Sequence, residues 1–252
     1  MKSIILAAGY ATRLYPLTEN FPKPLLEIGE STILGRLLDD IDTIPGIDGH
    51  IIVTNGKFAP MFEEWAAKRA SLPIRVLSDA TFTNETRLGA VRDLILAIET
   101  YGINDDLLVL AADNLLDFSL KGFVEEFHRK GTSMIMCHHE PEIYKLQRTG
   151  VIAVDDQMKV LQMQEKPEAP VSHWAVPPFY IYRKEDIPLI LSALDNGCGS
   201  DAPGNLAHYL VDRTVLHAWP MPGTRFDIGS LDTYEEARRR YGASRGDEDF
   251  FV

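Results

Sequence analysis

The sequence predicts an α/β protein built on a doubly wound, mostly parallel sheet. Three observations predict it. Short apolar runs alternate with stretches of helical period through the first half of the chain. Each run is closed by small or turn-forming residues, as where Gly9 ends the first and Asn55-Gly56 ends the second. The second half changes character, with strands following one another and little helix between them. Strand, helix and strand in succession imply parallel pairing through right-handed crossovers.

Taken in order, Ser3 to Ala8 reads as a buried strand because its apolar run has no polar alternation. Ile33, Leu34, Leu37, Leu38 and Ile41 share one helical face, which predicts a helix over 33–41. His50 to Thr54 is a strand, Ala59 to Ala70 a helix and Ile74 to Leu77 a short strand. Leu88 to Tyr101 is a helix with Val91, Leu94, Ile95 and Ile98 inward; Asp106 to Ala112 is a strand and Phe118 to Lys130 a helix. Strands follow at Ser133 to His138, Val151 to Val154, Lys159 to Gln164 and Phe179 to Tyr182, with a hairpin turn at Asp155-Asp156-Gln157. Helices return at Lys184 to Ala193, Asn205 to Val211 and Leu231 to Tyr241, around a strand at Val215 to Trp219. No linker divides the chain, so one domain over 1–242 is expected. Its halves meet near residue 132, and 243–252 is a frayed tail.

The 252 residues carry a formal net charge of −12, which excludes an electrostatic footprint for nucleic acid or an anionic membrane. An anionic substrate must then be met by locally placed cations or a metal. Cys137 and Cys198 lack metal-site spacing and read as idle thiols. No apolar stretch is long enough for a secretory core or a membrane span, so a cytoplasmic location is expected.

The first strand runs into Leu6-Ala7-Ala8-Gly9-Tyr10-Ala11-Thr12-Arg13-Leu14-Tyr15-Pro16-Leu17-Thr18, followed by Pro22-Lys23-Pro24-Leu25-Leu26. A small-residue turn at a strand's carboxyl end is where open α/β sheets bind ligands. Ala7, Ala8 and Gly9 let backbone N–H groups approach a phosphate or base, and Arg13 and Lys23 supply cations. The glycines of a dinucleotide fingerprint and the G-K-[ST] of a Walker loop are both missing. This string resembles the signature of the sugar-phosphate nucleotidyltransferases (the NDP-sugar pyrophosphorylase-like enzymes), L-A-A-G-x-G-T-R-L-x-P-L-T…P-K-P-L-L. Ala11 departs from it, standing where the family usually has glycine.

The resemblance runs from Met1 to about Tyr241 with its motifs in family order. It implies a Rossmann-like three-layer fold with a mixed, mostly parallel central sheet of the nucleotide-diphospho-sugar transferase type. It also implies transfer of an NMP from an NTP to a sugar 1-phosphate, with release of pyrophosphate. Arg13 and Lys23 are then the catalytic cations. Leu6, Ala8, Gly9, Thr12, Asn84, Leu88, Gly89 and Ala112 would contact the nucleotide. Such chemistry needs positioning and charge neutralisation by Mg²⁺ and cations more than a strong base. Magnesium takes one or two carboxylates plus phosphates and waters. Asp113, ending a strand, and Asp227, before the last helix, match the family's two metal-holding aspartates; an acid in either place is also what a plain helix cap looks like. Asp117 and Asp232 read as caps.

On the acceptor side the resemblance carries over Glu165 for sugar hydroxyls and Lys166 for the substrate phosphate, from Gln164-Glu165-Lys166-Pro167, which alone would fit a surface turn. Gly150 matches a glycine whose backbone approaches the sugar, and Pro177-Pro178-Phe179-Tyr180 a wall of the acceptor pocket, with Phe179 in contact. Asp201 and Asn205 fit either sugar contact or a helix cap. In Asn84-Glu85-Thr86-Arg87-Leu88-Gly89-Ala90, the base segment, Gly89 would let a helix start approach the base, and Arg87 would touch the triphosphate or pair with Asp93. His138 and His139 alternate across a strand and do not share a metal. An NTP and a sugar 1-phosphate or other small phosphorylated acceptor are the expected partners, and a homo-oligomer is left open. With no C-terminal extension long enough for the left-handed β-helix that some relatives carry, a second, acyltransferase activity is not expected. Two rivals stand beside this reading: a cytidylyltransferase of phosphocholine or another small phosphate, which clustered aromatics such as Trp174, Phe179 and Tyr180 would favour, and a catalytically inactive regulatory homologue.

Overall fold

In the computed structural model, residues 1–69 and 71–242 are described; the tail expected at 243–252 lies outside them. The first half contains β1 (Lys2–Leu6), β2 (Glu27–Ile28), β3 (Ser31–Thr32), α1 (Ile33–Ile41), β4 (His50–Thr54), α2 (Ala59–Ala67), β5 (Ile74–Ser78), α3 (Ala90–Tyr101), β6 (Leu107–Ala111), β7 (Asn114–Leu116) and α4 (Lys121–Lys130). The second half contains β8 (Ser133–His139), α5 (Ile143–Leu146), β9 (Gly150–Val154), β10 (Val160–Glu165), β11 (Trp174–Val176), β12 (Phe179–Tyr182), α6 (Ile187–Leu191), α7 (Pro203–Leu210), β13 (Leu216–Pro220), β14 (Arg225–Asp227) and α8 (Leu231–Tyr241).

The central sheet is mixed. β5, β4, β1 and β6 lie side by side and all parallel, in that order. β12 then runs antiparallel between β6 and β8. β8 is shared: β13 pairs parallel along its other edge, and its last residues pair β11, which leads through β9 to β10. The parallel strands read as unbroken apolar runs because helices cover both faces. On β1, Ile4 faces a cluster with Val91, Leu94 and Leu206 from α3 and α7, while Ile5 faces Leu34, Phe62 and Phe123 from α1, α2 and α4.

Helix boundaries follow local chemistry. Thr32 caps α1, its Oγ1 accepting from the Gly35 N–H at 2.9 Å. Ser230 and Thr233 form a capping box at α8. The first turn of α3 begins at Ala90 rather than Leu88 because Gly89 takes φ +92°, outside helical space. α4 begins at Lys121 rather than Phe118, its preceding Leu120 N–H held by the Asp40 carboxylate at 2.8 Å. No described helix is long and apolar enough to cross a membrane.

A third apolar cluster matters most for the site. Leu14, Leu26, Ile28, Ile33, Leu115, Ile228, Tyr234 and Ala237 bury together, joining the first loop, α1, the β7–β14 ribbon and α8. Each fully buried aliphatic side chain of this kind contributes roughly 1.5–3 kcal/mol, so the cluster fastens the end of the chain against its beginning.

Candidate active site

The turn after β1 is held from beneath and left open above. Ala7 N–H donates to Val53 at 2.8 Å, and the buried Asn55 amide donates to the Ala8 carbonyl at 3.1 Å. No atom lies within 4 Å of where a Cβ on Gly9 would project, so a ligand has room there. Ala11 adopts φ 47° and ψ 42°, the left-handed region, at a cost of about 1–2 kcal/mol for a residue with a Cβ. The bend is secured by Leu14 N–H and Thr18 Oγ1, which both donate to the Ala11 carbonyl at 3.0 and 2.8 Å. It turns Arg13 into the cleft.

Asp113 stands two residues past the end of β6. Its Oδ2 accepts from the buried Lys23 Nζ at 2.9 Å and its Oδ1 from Asn114 Nδ2 at 2.7 Å. β14 pairs antiparallel with β7 and sets Asp227 opposite Asn114, and Ile228 N–H donates to the Asp113 carbonyl at 3.3 Å. Arg225 bridges the two strands: its Nη1 donates to Asn114 Oδ1 and lies 3.9 Å from Asp227 Oδ2. Burial, then the charge of Asp113, push the Asp227 carboxyl above the usual carboxylate range, against Arg225, Lys23 and Arg13. A buried acid raised by a neighbouring carboxylate is half of a donor set whose repulsion a divalent cation would relieve. Among the described residues no group of three or more His, Cys, Asp or Glu is arranged for a metal. The pair therefore fits a cation that draws its remaining ligands from substrate and water, as magnesium does.

Asp117 and Asp232 are not caps. Asp117 accepts from both the N–H and the hydroxyl of Thr224, clamping the turn that leads into β14. Asp232 sits inside the first turn of α8, which Ser230 caps.

The cleft has three lobes that all meet at Ala111, at the carboxyl ends of β1 and β6. One of about 240 Å³ is lined by Leu6, Gly9, Arg13, Lys23, Ala112 and Asp113. One of about 210 Å³ is lined by Leu6, Ala8, Gly9, Gly89, Asp93 and Asp201. The third, about 440 Å³, is lined by Asp113, Asp227, Arg225, Lys145, Arg148 and His138, among others. Burial, reinforced by Arg225, lowers the His138 pKa to about 4, so that ring is neutral at physiological pH. His139 projects from the other face of the strand and stacks on His173.

Several expected contacts fall elsewhere. Phe179 is fully buried in the core; the residue of its segment that lines the cleft is Pro178. Thr12, Asn84 and Leu88 lie outside the lining of these lobes, and so does Asn205. Arg87 pairs with Asp201 at 3.0 Å and not with Asp93. A Cβ on Gly89 would meet the Ser200 carbonyl at 2.4 Å, so the chain's own backbone is what approaches this glycine. The N–H groups of Ala90 and Val91 donate to Asp201 and Ser200 carbonyls, which takes the start of α3 away from any phosphate. Glu165 is wedged between Gly150 and Gly204; a Cβ on Gly204 would lie 1.9 Å from its Oε2. Burial raises the Glu165 pKa. Lys166 is exposed, holds φ 49° and donates its N–H to Thr149 at 3.0 Å. Asn55, Arg225, Lys145 and Arg148 were not anticipated. Asn55 carried a visible signal, an Asn-Gly pair ending a strand, but the other three depend on tertiary placement.

The aromatic residues that would have suited a quaternary amine are not assembled. Phe179 and Tyr180 are core residues, Trp174 packs edge-on against His139, and none of the three lines the large lobe.

Comparison with known proteins agrees with this geometry. The family model described as nucleotidyl transferase matches residues 2–244. The chain is 24% identical over 249 residues to UTP--glucose-1-phosphate uridylyltransferase AglF of Haloferax volcanii, covering 95% of this chain and 96% of that protein. It is also 24% identical to the glucose-1-phosphate adenylyltransferase of Fervidobacterium nodosum, of whose length it spans 59%. A solved UDP-glucose pyrophosphorylase, crystallised with UDP-glucose, superposes with a TM-score of 0.80 at 21% identity over 95% of this chain and 97% of that one. The mixed three-layer sheet is thus the expected nucleotide-diphospho-sugar transferase fold, and the chain belongs to the nucleotidyl transferase family.

Proposed function

We propose that this chain transfers a nucleoside monophosphate from an NTP to a sugar 1-phosphate, forming an NDP-sugar and pyrophosphate, within one domain spanning residues 1–242. The observation that carries the reading is the β7–β14 ladder, which lays Asp227 beside Asp113 next to Lys23 and the small-residue turn. In this reading an acceptor phosphate oxygen attacks the α-phosphorus, a new P–O bond forms, and the α–β bond breaks with its electron pair leaving on pyrophosphate. The nucleophile is already anionic, so the site needs alignment and neutralisation more than a base.

Arg13 and Lys23 line the lobe that suits the triphosphate and would offset charge building on the leaving pyrophosphate. Asp113 and Asp227 would hold Mg²⁺, which when bound neutralises phosphate oxygens and fixes their geometry. The large lobe would take the acceptor, with Arg225, Lys145 and Arg148 toward its phosphate. Glu165, held between Gly150 and Gly204, would contact the sugar hydroxyls. Relatives named for different nucleobases, a uridylyltransferase and an adenylyltransferase, each match more than nine-tenths of this chain.

The test is a matrix of five NTPs against a panel of sugar 1-phosphates and phosphocholine with Mg²⁺, read by pyrophosphate release. Release with at least one sugar 1-phosphate is expected. Release with phosphocholine alone, or with no acceptor at all, would overturn the proposal.

A further inference from the structure

One stretch of chain joins the smallest lobe, that of Ala8, Gly9 and Gly89, to the carboxylate of Glu165. Residues 200–204 lie across the start of α3, where the Val91 and Ala90 N–H groups donate to the carbonyls of Ser200 and Asp201 at 3.0 and 3.1 Å. Arg87 adds an ion pair to Asp201, but both partners are exposed, so the two backbone bonds hold more firmly. Gly89 sits against this contact with φ +92°, and a Cβ on it would lie 2.4 Å from the Ser200 carbonyl oxygen and 3.0 Å from the Asp201 Cα. Further along the same stretch, Pro203 and Gly204 open α7. Pro203 lines both the smallest and the large lobe, and Gly204 backs Glu165 so closely that its Cβ would overlap Oε2.

Resting on the proposed transferase reading, with Glu165 on the sugar, we propose that Gly89 is a positioning residue for the acceptor. It seats residues 200–204 so that Gly204 holds the Glu165 carboxylate in place. The smallest lobe shares Leu6 and Gly9 with the lobe of Arg13 and Lys23, so Gly89 stands on the nucleotide side. A side chain there would nevertheless run into the Ser200 carbonyl. A backbone carbonyl cannot swing aside as the end of a side chain can, and φ +92° is open to glycine far more readily than to any other residue. Any Cβ at this position must therefore lift residues 200–201 off α3. The displacement runs through Ala202 and Pro203 to Gly204, and misplacing a binding group by about 1 Å can cost about 100-fold. A change on the nucleotide side is thus felt by the sugar.

The test uses Gly89→Ala, Gly204→Ala, their double variant and Ala90→Pro, with the NTP and sugar 1-phosphate that give the fastest pyrophosphate release from wild type. Ala90 is the first residue of α3, where proline is well accepted, and Gly89 has the extended ψ of 154° that a following proline needs. Ala90→Pro therefore keeps the helix and removes the N–H that holds the Asp201 carbonyl. Two quantities are read: the acceptor KM, and the NTP dissociation constant with Mg²⁺ and no acceptor. Gly89→Ala and Ala90→Pro are each expected to raise the acceptor KM about tenfold or more while NTP affinity changes by less than about threefold. The double variant should be no worse than the more damaging of its two single changes, because both displace the same contact. Loss of NTP affinity equal to or greater than the loss for the acceptor would set the nucleotide against Gly89 and overturn the inference, and so would fully additive effects in the double variant. An unchanged acceptor KM in Ala90→Pro overturns it even where Gly89→Ala does not fold. Release by wild type with variants unchanged toward the acceptor sinks this inference alone, whereas no release from wild type with any sugar 1-phosphate sinks the transferase reading and this inference with it.

Discussion

The side-chain amide of Asn55 donates to the carbonyl of Ala8 at 3.1 Å, while its Oδ1 accepts from the Phe58 N–H at 3.0 Å. One fully buried side chain thereby fixes the small-residue turn after β1 to the end of β4. Asn55→Ala leaves the Ala8 carbonyl without a partner and the Phe58 N–H with only its 3.3 Å bond to the backbone carbonyl of residue 55, which costs about 1–3 kcal/mol before relaxation. A lower denaturation midpoint is expected together with weaker NTP binding, read by calorimetry. Unchanged nucleotide affinity would show that the turn holds its shape without this tie.

The acidic pair gives a sharper outcome. Asp113→Ala and Asp227→Ala should each lower turnover by about 10²-fold or more, in the range typical of removing one transition-state electrostatic contact. Circular dichroism should show both folds intact. Removing Asp113 also takes away a charge that raises the Asp227 pKa, so that carboxyl should titrate lower in the variant by NMR. Near-normal turnover in either variant would remove the metal assignment.

Ala11 holds a left-handed conformation that disfavours any Cβ. Ala11→Gly relieves about 1–2 kcal/mol of strain and adds about 0.4–1 kcal/mol of unfolded-state entropy. The net expectation is a gain of about 0.5 kcal/mol, visible as a raised midpoint in urea. A fall in stability would mean the loop around Ala11 tolerates its Cβ without strain.

Gly204 and Glu165 are coupled in the opposite sense. Gly204→Ala drives a Cβ to within 1.9 Å of Glu165 Oε2, so the carboxylate must leave its slot. The expected result is a raised KM for the acceptor with little change for the NTP. Equal changes in both would separate Glu165 from acceptor binding.

The buried Asp93 makes a pH prediction independent of nucleotide. Burial, with the neighbouring Asp79, sets its folded pKa at about 7, above the ordinary aspartate value of 3.8. The folded state thus binds the extra proton between those values, and the stability this contributes is complete below about 4 and lost as pH rises through 7. Asp93→Asn removes that slope. The variant should match wild type near pH 4 and exceed it at pH 8 by on the order of 4 kcal/mol, measured by denaturant melts at both pH values. Parallel curves would show that the carboxyl finds donors in solution.

What the residues determined by themselves was local and repetitive. The apolar runs of β1, β4 and β6 and the spacing of Ile33, Leu34, Leu37, Leu38 and Ile41 demand strands and a helix whatever surrounds them, because burial follows periodicity. The long motif in the first loop was likewise legible, since its glycine, alanines and cations are contiguous. Only tertiary structure decided the pairing of β7 with β14: each is three residues long, too short to show alternation, and the Arg225–Asn114 contact spans 111 positions. It decided as well that Asp117 clamps a turn, that Phe179 is core, and that Arg87 chooses Asp201 and leaves Asp93 alone in its cavity. Those outcomes depend on which groups compete for one partner in three dimensions, and a linear chain does not encode that competition within any window.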